Sequence, residues 1–453
     1  MPQQEIWREH ALFPGTAVHT VSAQSTITGP LDANRLERAI GWVWDRHEAL
    51  RLTPFATADG AEPILIAADR PECLLALHDV CQEPAPAAAA EALAAELGRR
   101  AIPLDGGPTC RFDLIAFGAE QHIWVMSYHH INMDAWANGI LVRDTAAAYS
   151  AFTRGEDPAL ADAPLFADAV EADRAFQETA RFQKNCAYWK ALYQTMPDRL
   201  VDAVPSILEG RPPANTTLCR LAIDGATMDR LRQVAQDRNT TPARLFIAGA
   251  LILLHRQSGA RDVVFGMPVL NRPTAKLKAT FGLFSMTTAP RVEIDPTAGL
   301  DDLLAKLDAS MRNAMRHHRF PLSNVNRELG LAAKQVLQLF DLNISYERVD
   351  FGELPFGDAV AAVPRVLLNN VERTPVEIFV RDYGDANRIE VDLDLSLGAY
   401  TEEEAQALSS RYLRVLEWLS CGGVGGFGAV PLVAPSERAW LLDEVNDRAR
   451  DYG

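Results

Sequence analysis

Two widely separated stretches of this chain follow one plan, and that repetition limits the folds open to it. Residues 17–28 (AVHTVSAQSTIT) alternate well enough for a strand, GPLD turns the chain, and ANRLERAIGWVWDRHEALR carries Leu36, Ile40, Val43 and Leu50 roughly on a helical stripe. Far downstream, TTLCRLAIDGATMDRLRQVAQDR places Leu218, Leu221 and Ile223 on a strand, turns at Asp224-Gly225 and continues as a helix. A second pair repeats the scheme. CRFDLIAFGAEQHIWVMSY reads as a strand hairpin ahead of a helix near 134–152, and RIEVDLDLSLGAYTEEEAQALSSRYLRVLEWL as a strand followed by a long helix. The expectation is an α/β chain of two similar lobes with one functional centre at their seam.

Length agrees, because 453 residues exceed one ordinary core and suffice for two. RGEDPALADAP (154–164), a helix around ADAVEADRAFQETARFQKNCAYWKALYQ and the Pro-rich MPDRLVDAVPSILEGRPPANTT mark the join. The boundary is expected near 175–180, giving lobes 1–177 and 178–440. The Ala-rich stretch 87–101 reads as a packing helix without chemistry.

A formal charge of −16 disfavours a general nucleic-acid or anionic-membrane role, since both need basic patches. No apolar run approaches 18 residues and no secretory leader pattern follows Met1, so a soluble, cytoplasmic protein is expected. The six cysteines are scattered and form no C-x-x-C, which suggests neither a disulfide framework nor a thiolate zinc site.

Chemistry concentrates in YHHINMDAW (128–136), where His129 and His130 precede Asp134 at the end of the apolar run IWVMS. Three readings compete. His122, His129, His130 and Asp134 are metal-ligand types, but adjacent residues on a strand point to opposite faces and do not easily grip one ion. A structural doublet would pack one ring and expose the other. Acid–base catalysis would turn one ring into the seam, with Asp134 and an arginine fixing the loop; an imidazole with a pKa near 6.5 exchanges protons near neutrality.

HHINMDAW resembles the HHxxxDG signature of nonribosomal peptide synthetase condensation domains, and the likeness extends over nearly the whole chain. PQQEIW is a loose form of that family's first motif, and IPLDGGPTCRFDLI (102–115) is similar to the segment upstream of its histidines. VVFGMPVLNRP (263–273) resembles the segment ending in the family's structural arginine, and FGLFSMTTAPRV (281–292) its G-x-F-x-N-T stretch. HRFPLSNVNREL (318–329) resembles its PF region and LFDLNISYE (339–347) the strand after it. The tail, 441–453, resembles the linker toward an adenylation domain.

This resemblance implies two chloramphenicol acetyltransferase-like lobes forming a V-shaped pseudo-dimer with an active site at the seam. His130 would be the catalytic histidine, with His129 supporting it, Asp134 structural, and Arg272 its salt-bridge partner from the other lobe; Ala135 and Trp136 are supporting neighbours. The implied reaction forms an amide between a donor acyl thioester and an acceptor aminoacyl amine. Both would arrive on phosphopantetheine arms of upstream and downstream carrier proteins, with no metal and no cofactor of the domain's own. Alternatives are an ester-forming or CoA-dependent acyltransferase of the same superfamily and a noncatalytic docking platform.

The chain departs from the pattern at Ala135 and Ala137, where the family has glycine and serine, and at Ser285 and Met286. The resemblance also implies a tunnel along the seam, and a methyl at 135 is expected to restrict positive φ and narrow it. Epimerisation domains continue differently from AWANGIL, heterocyclisation domains replace the histidines by aspartates, and recruiting domains usually lose the second histidine. His317-His318 reads as a solvated basic turn, Ser127 lacks a G-x-S-x-G elbow, and Trp124, Trp136 and Trp189 read as core.

Overall fold

The computed structural model describes residues 1–55, 64–201, 214–331, 338–348, 352–384 and 389–439. Helix α1 (Gln3–Leu12) precedes strand β1 (Thr20–Thr28) and helix α2 (Ala33–Arg46). Strand β2 (Leu75–Asp79) and helix α3 (Pro86–Gly98) lead to the hairpin of β3 (Cys110–Gly118) and β4 (Gln121–His129), then to the long helix α4 (Ala135–Thr153). Helices α5 (Phe166–Gln177) and α6 (Ala180–Leu192) cross to the second half. There β5 (Thr216–Leu221), α7 (Gly225–Asp237), α8 (Pro242–Ser258) and α9 (Leu300–His317) precede α10 (Leu322–Glu328) and β6 (Leu342–Arg348). Three short strands follow, β7 (Leu354–Phe356), β8 (Ala359–Ala361) and β9 (Arg365–Leu367), before β10 (Val376–Asp382), β11 (Ile389–Ser396) and α11 (Glu402–Ser420).

The repeated plan has a local cause. Asp32 ends the turn after β1 and accepts the Arg35 N–H to cap α2; Asp224 does the same after β5, accepting the Thr227 N–H to cap α7. Each cap satisfies a backbone donor that a helix start otherwise leaves unpaired. The stripe expected from Leu36 to Leu50 is shorter than drawn, because α2 ends at Arg46 and Leu50 is buried from the next short helix. Strand β5 stops at Leu221, so Ile223 packs on the core from outside it. The single helix expected over 167–194 breaks at Glu178-Thr179, where the Thr179 hydroxyl accepts the Phe182 N–H and starts α6.

Each half builds a sheet. The first runs β7-β8-β1-β4-β3-β2, with β9 also pairing β1; the second runs β6-β10-β11-β5. One apolar core lies between the first sheet and α2 and α4, around Trp124, Leu36, Ile40 and Tyr149. Another encloses α8, whose residues from Leu245 to His255 are all buried against the second sheet and α11. A helix apolar on every face belongs inside, which explains the absence of a polar stripe there.

Residues 354–367 lie within the range expected for the second lobe, yet β7, β8 and β9 join the first sheet. Their anchor is Phe356, fully buried with its ring 6.0 Å from Trp124 and 5.6 Å from Tyr149. The connection therefore laces the halves together, and a strict division by sequence order misses it. Residues 441–453, read above as a linker, and most of the Pro-rich stretch, 202–213, lie outside the described residues.

Phe356→Ala removes this anchor and leaves a cavity under the first sheet. Loss of about 3–5 kcal/mol of stability is expected, measured as a lowered denaturation midpoint.

Candidate active site

Strand β4 is central, paired with β1 from Thr28↔Gln121 to Thr20↔His129 and with β3 on its other side. Its last residue is His129. The register ends one residue later, where the His130 N–H donates to His19 O at 2.7 Å, and the Asn132 N–H then closes a turn on His129 O. The Asn132 amide fastens that turn to Thr109 Oγ1 at 2.5 Å and to the Leu52 carbonyl. Strand alternation sorts the two rings: His129 is buried, at 1% exposure, and His130 is half-buried.

Hydrogen bonds fix both tautomers. His129 Nδ1 accepts the Ile131 N–H at 3.2 Å, so its proton sits on Nε2, which faces His10 Nδ1 at 3.3 Å. His10, His19 and His129 cluster, with ring centroids 5.1 Å and 5.8 Å from that of His129. Burial first, then the neighbouring rings, lowers His129 to about 3; burial and the Arg373 charge lower His19 to about 2. Both are neutral at pH 7. His130 differs, because its Nδ1 lies 2.8 Å from Met133 O, which can only accept. Nδ1 therefore carries the proton and Nε2 presents a lone pair.

Asp134 closes the turn and starts α4, accepting the Ala137 N–H on Oδ1 at 2.9 Å. The same carboxylate reaches across the seam. Arg272 Nη2 donates at 3.0 Å and 3.2 Å to its two oxygens, and Oδ2 also accepts the N–H groups of Phe284 and Ser285 at 2.9 Å and 3.1 Å. Arg272 in turn donates to the carbonyls of Leu277, Thr280 and Gly282 at 2.7, 2.5 and 2.7 Å, with its guanidinium 4.3 Å from the Phe284 ring. Both side chains are buried, at 3% and 0% exposure. Gly282 is obligatory beside them: its φ is +145°, and a Cβ would lie 2.6 Å from Phe166.

Ala135 is exposed at the first position of α4, and among the described residues only Asn239, Asn271 and Asn370 are non-glycines with positive φ. The expected conflict between a methyl and a left-handed backbone at 135 therefore does not arise. Trp136 is half-buried, its indole N–H donating to Lys278 O at 2.8 Å, so it links α4 to the 275–279 helix rather than filling the core. Trp124 and Trp189 are fully interior. His122 lies at the far end of β4, roughly 25 Å from the pair at about 3.3 Å per strand residue. Among the described residues no three His, Cys, Asp or Glu side chains form a metal-holding group, and no helix is long and apolar enough to cross a membrane.

His317 and His318 are not a solvated turn. They end α9, with His317 stacked on Tyr188 at 4.1 Å and bonded to Asn185, and His318 bonded to Met315 O and to Asn271. Sequence reasoning missed His10 and His19, which no spacing connects to the pair. It also missed the Phe284 and Ser285 amides, because backbone donors leave no trace in residue identity.

A family model described as "Condensation domain" matches residues 1–441. The chain is 25% identical over 470 residues to one of the linear gramicidin synthase proteins of Brevibacillus parabrevis, covering 99% of this chain and 9% of that protein. It is 32% identical over 333 residues to phosphinothricin tripeptide synthetase PhsC of Streptomyces viridochromogenes, covering 71% of this chain and 30% of that one. The chain thus spans a minor part of these relatives. The starter condensation domain of rhizomide synthetase, solved with C8-CoA and Leu-SNAC, superimposes with a TM-score of 0.83 at 23% identity, covering 95% of this chain and 96% of that one. The first condensation domain of the calcium-dependent antibiotic synthetase, solved with a substrate analogue, gives 0.82 at 22%, covering 94% and 97%.

Arg272→Ala leaves the Asp134 carboxylate buried without its countercharge. A loss of about 3–5 kcal/mol is expected in equilibrium unfolding. The neutral, buried His19 and His129 set a second expectation. Unfolded, they protonate near pH 6.5, whereas folded they resist down to about 2 and about 3. The unfolded state therefore binds more protons within that window. Stability should fall as the pH drops below about 6.5, by up to about 1.4 kcal/mol per pH unit for each histidine. His129→Gln should flatten the slope in unfolding titrations taken at stepped pH.

Proposed function

The chain belongs to the condensation-domain family of nonribosomal peptide synthetases, a family of acyltransferases with the two-lobed, chloramphenicol acetyltransferase-like fold, and from that premise we propose that it forms an amide bond at His130. The donor is an acyl thioester and the acceptor the free amine of an aminoacyl thioester, each carried on the phosphopantetheine arm of a carrier protein. An upstream carrier delivers the donor, a downstream carrier the acceptor, and an adjacent adenylation domain charges the latter.

One observation carries the assignment of roles: His130 Nε2 is the lone pair of a half-buried ring whose other nitrogen is tied to Met133 O, on a turn locked by Asp134 and Arg272. The acceptor nitrogen attacks the thioester carbonyl, the C–N bond forms and the C–S bond breaks. Nε2 takes the proton that the nitrogen sheds and returns it to the departing sulfur, giving amide and thiol. Proton transfer by a positioned base is worth roughly 10²–10⁴ in rate, and holding two tethered reactants together contributes independently. Asp134 and Arg272 serve architecture, because the hydrogen bonds they make go to each other and to backbone groups.

A CoA-borne donor is the second reading, favoured by the likeness to a starter domain solved with C8-CoA. It requires the same nitrogen and the same bond changes. Product mass decides between them when acyl carrier protein and acyl-CoA are offered as donors, with amine and hydroxyl acceptors side by side. His130→Ala is expected to lower amide formation by about 10²-fold or more while the unfolding midpoint stays near that of the wild type. Equal yields from the two proteins would remove the catalytic role of His130, and partner binding without any transfer would favour a docking platform.

A further inference from the structure

Both ring nitrogens of His318, at the C-terminal end of α9, face oxygen. Nδ1 lies 2.6 Å from the Met315 carbonyl and Nε2 lies 3.0 Å from Asn271 Oδ1. A neutral imidazole carries one N–H and satisfies one of these acceptors, turning a lone pair toward the other; the imidazolium satisfies both. Asn271 is placed to respond, since its Nδ2 donates to Phe284 O at 3.1 Å and lies 3.4 Å from Met286 Sδ. When His318 is neutral and keeps its shorter bond to Met315, Asn271 finds a partner there only by rotating its amide through 180°. That rotation gives an N–H to His318 Nε2 and turns Oδ1 against Phe284 O. The Asn271–Phe284 bond is then lost.

The far side of Phe284 is the anchor of the catalytic turn. Its N–H donates to Asp134 Oδ2 and its ring supports Arg272. Asn271 immediately precedes Arg272 and holds a left-handed φ of +50°, so its side chain braces a tight turn at the base of that arginine.

We propose that His318 is a positioning residue for the transfer at His130, its proton deciding whether Asn271 braces Phe284 behind Asp134 or releases it. The inference rests on the reading of His130 given above. The groups around the ring set where the switch falls. Burial lowers the pKa of His318, the Met315 carbonyl raises it, and the positive charges of Arg319, itself paired with Asp173 at 3.6 Å, and of Arg181 on α6 lower it further. His317 is engaged elsewhere, with Asn185 and Tyr188. The braced state therefore belongs to the acid side of an ordinary histidine, and the released state to higher pH.

The test compares wild type with His318→Gln, whose amide N–H can reach Asn271 Oδ1 at every pH and keep the brace. The ratio of wild-type to H318Q kcat should be near one at the lowest pH and fall about fivefold by pH 7.5, with little change in KM. The ratio also cancels any pH dependence that the two proteins share. Independently, in full-length chain labelled with nitrogen-15, the Asn271 side-chain amide signal should move with the same midpoint as the His318 ring nitrogens. A flat kcat ratio for folded H318Q, or an Asn271 signal indifferent to the His318 titration, overturns the proposal. Should wild type show no transfer at any pH, the functional reading fails instead, and the amide signal alone decides the relay.

Discussion

The carboxylate of Asp134 is where the two halves of the molecule meet. It caps α4, ties that helix start to Arg272, and collects the Phe284 and Ser285 amides from the opposite lobe. Such a buried pair is not bound to stabilise the fold relative to an apolar contact, because two ions leave water to make it. Its value here is geometric. Three residues separate Asp134 from His130, so fixing the one in two lobes at once fixes the turn that carries the other.

Behind that turn lies a cluster of imidazoles beside the Glu9–Arg373 pair. His19 and His129 are interior with the half-buried His10 against them, and burial holds His19 and His129 neutral far below their ordinary range. A protonated cluster there would repel any positive charge forming on His130. The neutral His129 ring instead accepts the Ile131 N–H, while the backbone carbonyl of His19 accepts the His130 N–H. The His10 and His129 rings thus bond each other and the turn, and His130, half-buried, keeps an open nitrogen.

Much of this was legible in the sequence where the signal was local. The duplicated strand, turn and helix were readable because Asp32 and Asp224 sit where a helix start needs a side-chain acceptor. The ordered motifs brought Asp134 and Arg272 together on paper, and the structure places them in contact. What escaped was nonlocal or backbone in origin. Nothing in LPF or AVA announces strands of the first sheet, since three-residue strands carry almost no periodicity and the pairing of AVA with β1, on which LPF is added, spans most of the chain. The backbone at Ala135 was misjudged for a related reason: the aspartate before it is a helix cap, which makes position 135 an ordinary helical residue.

The seam adds to the cores on either side of it a set of directional polar contacts. Each lobe encloses an apolar interior, and the lobes touch both through apolar side chains, with Phe281 and Phe284 packed into the first core, and through polar groups. Glu5 of α1 accepts the Ser323 N–H at the start of α10, Glu9 pairs with Arg373 at 2.7 Å, and Gln3 donates to Leu283 O. The second sheet carries further buried acids, Glu377 and Asp394, opposed in register on β10 and β11, with burial raising them to about 7 and about 6. Apolar packing is nondirectional and holds a lobe's shape through small displacements, whereas these bonds weaken steeply with misalignment and with admitted water. The polar part of the joint is therefore the part most sensitive to a change of shape, and His130 stands on the turn that it holds.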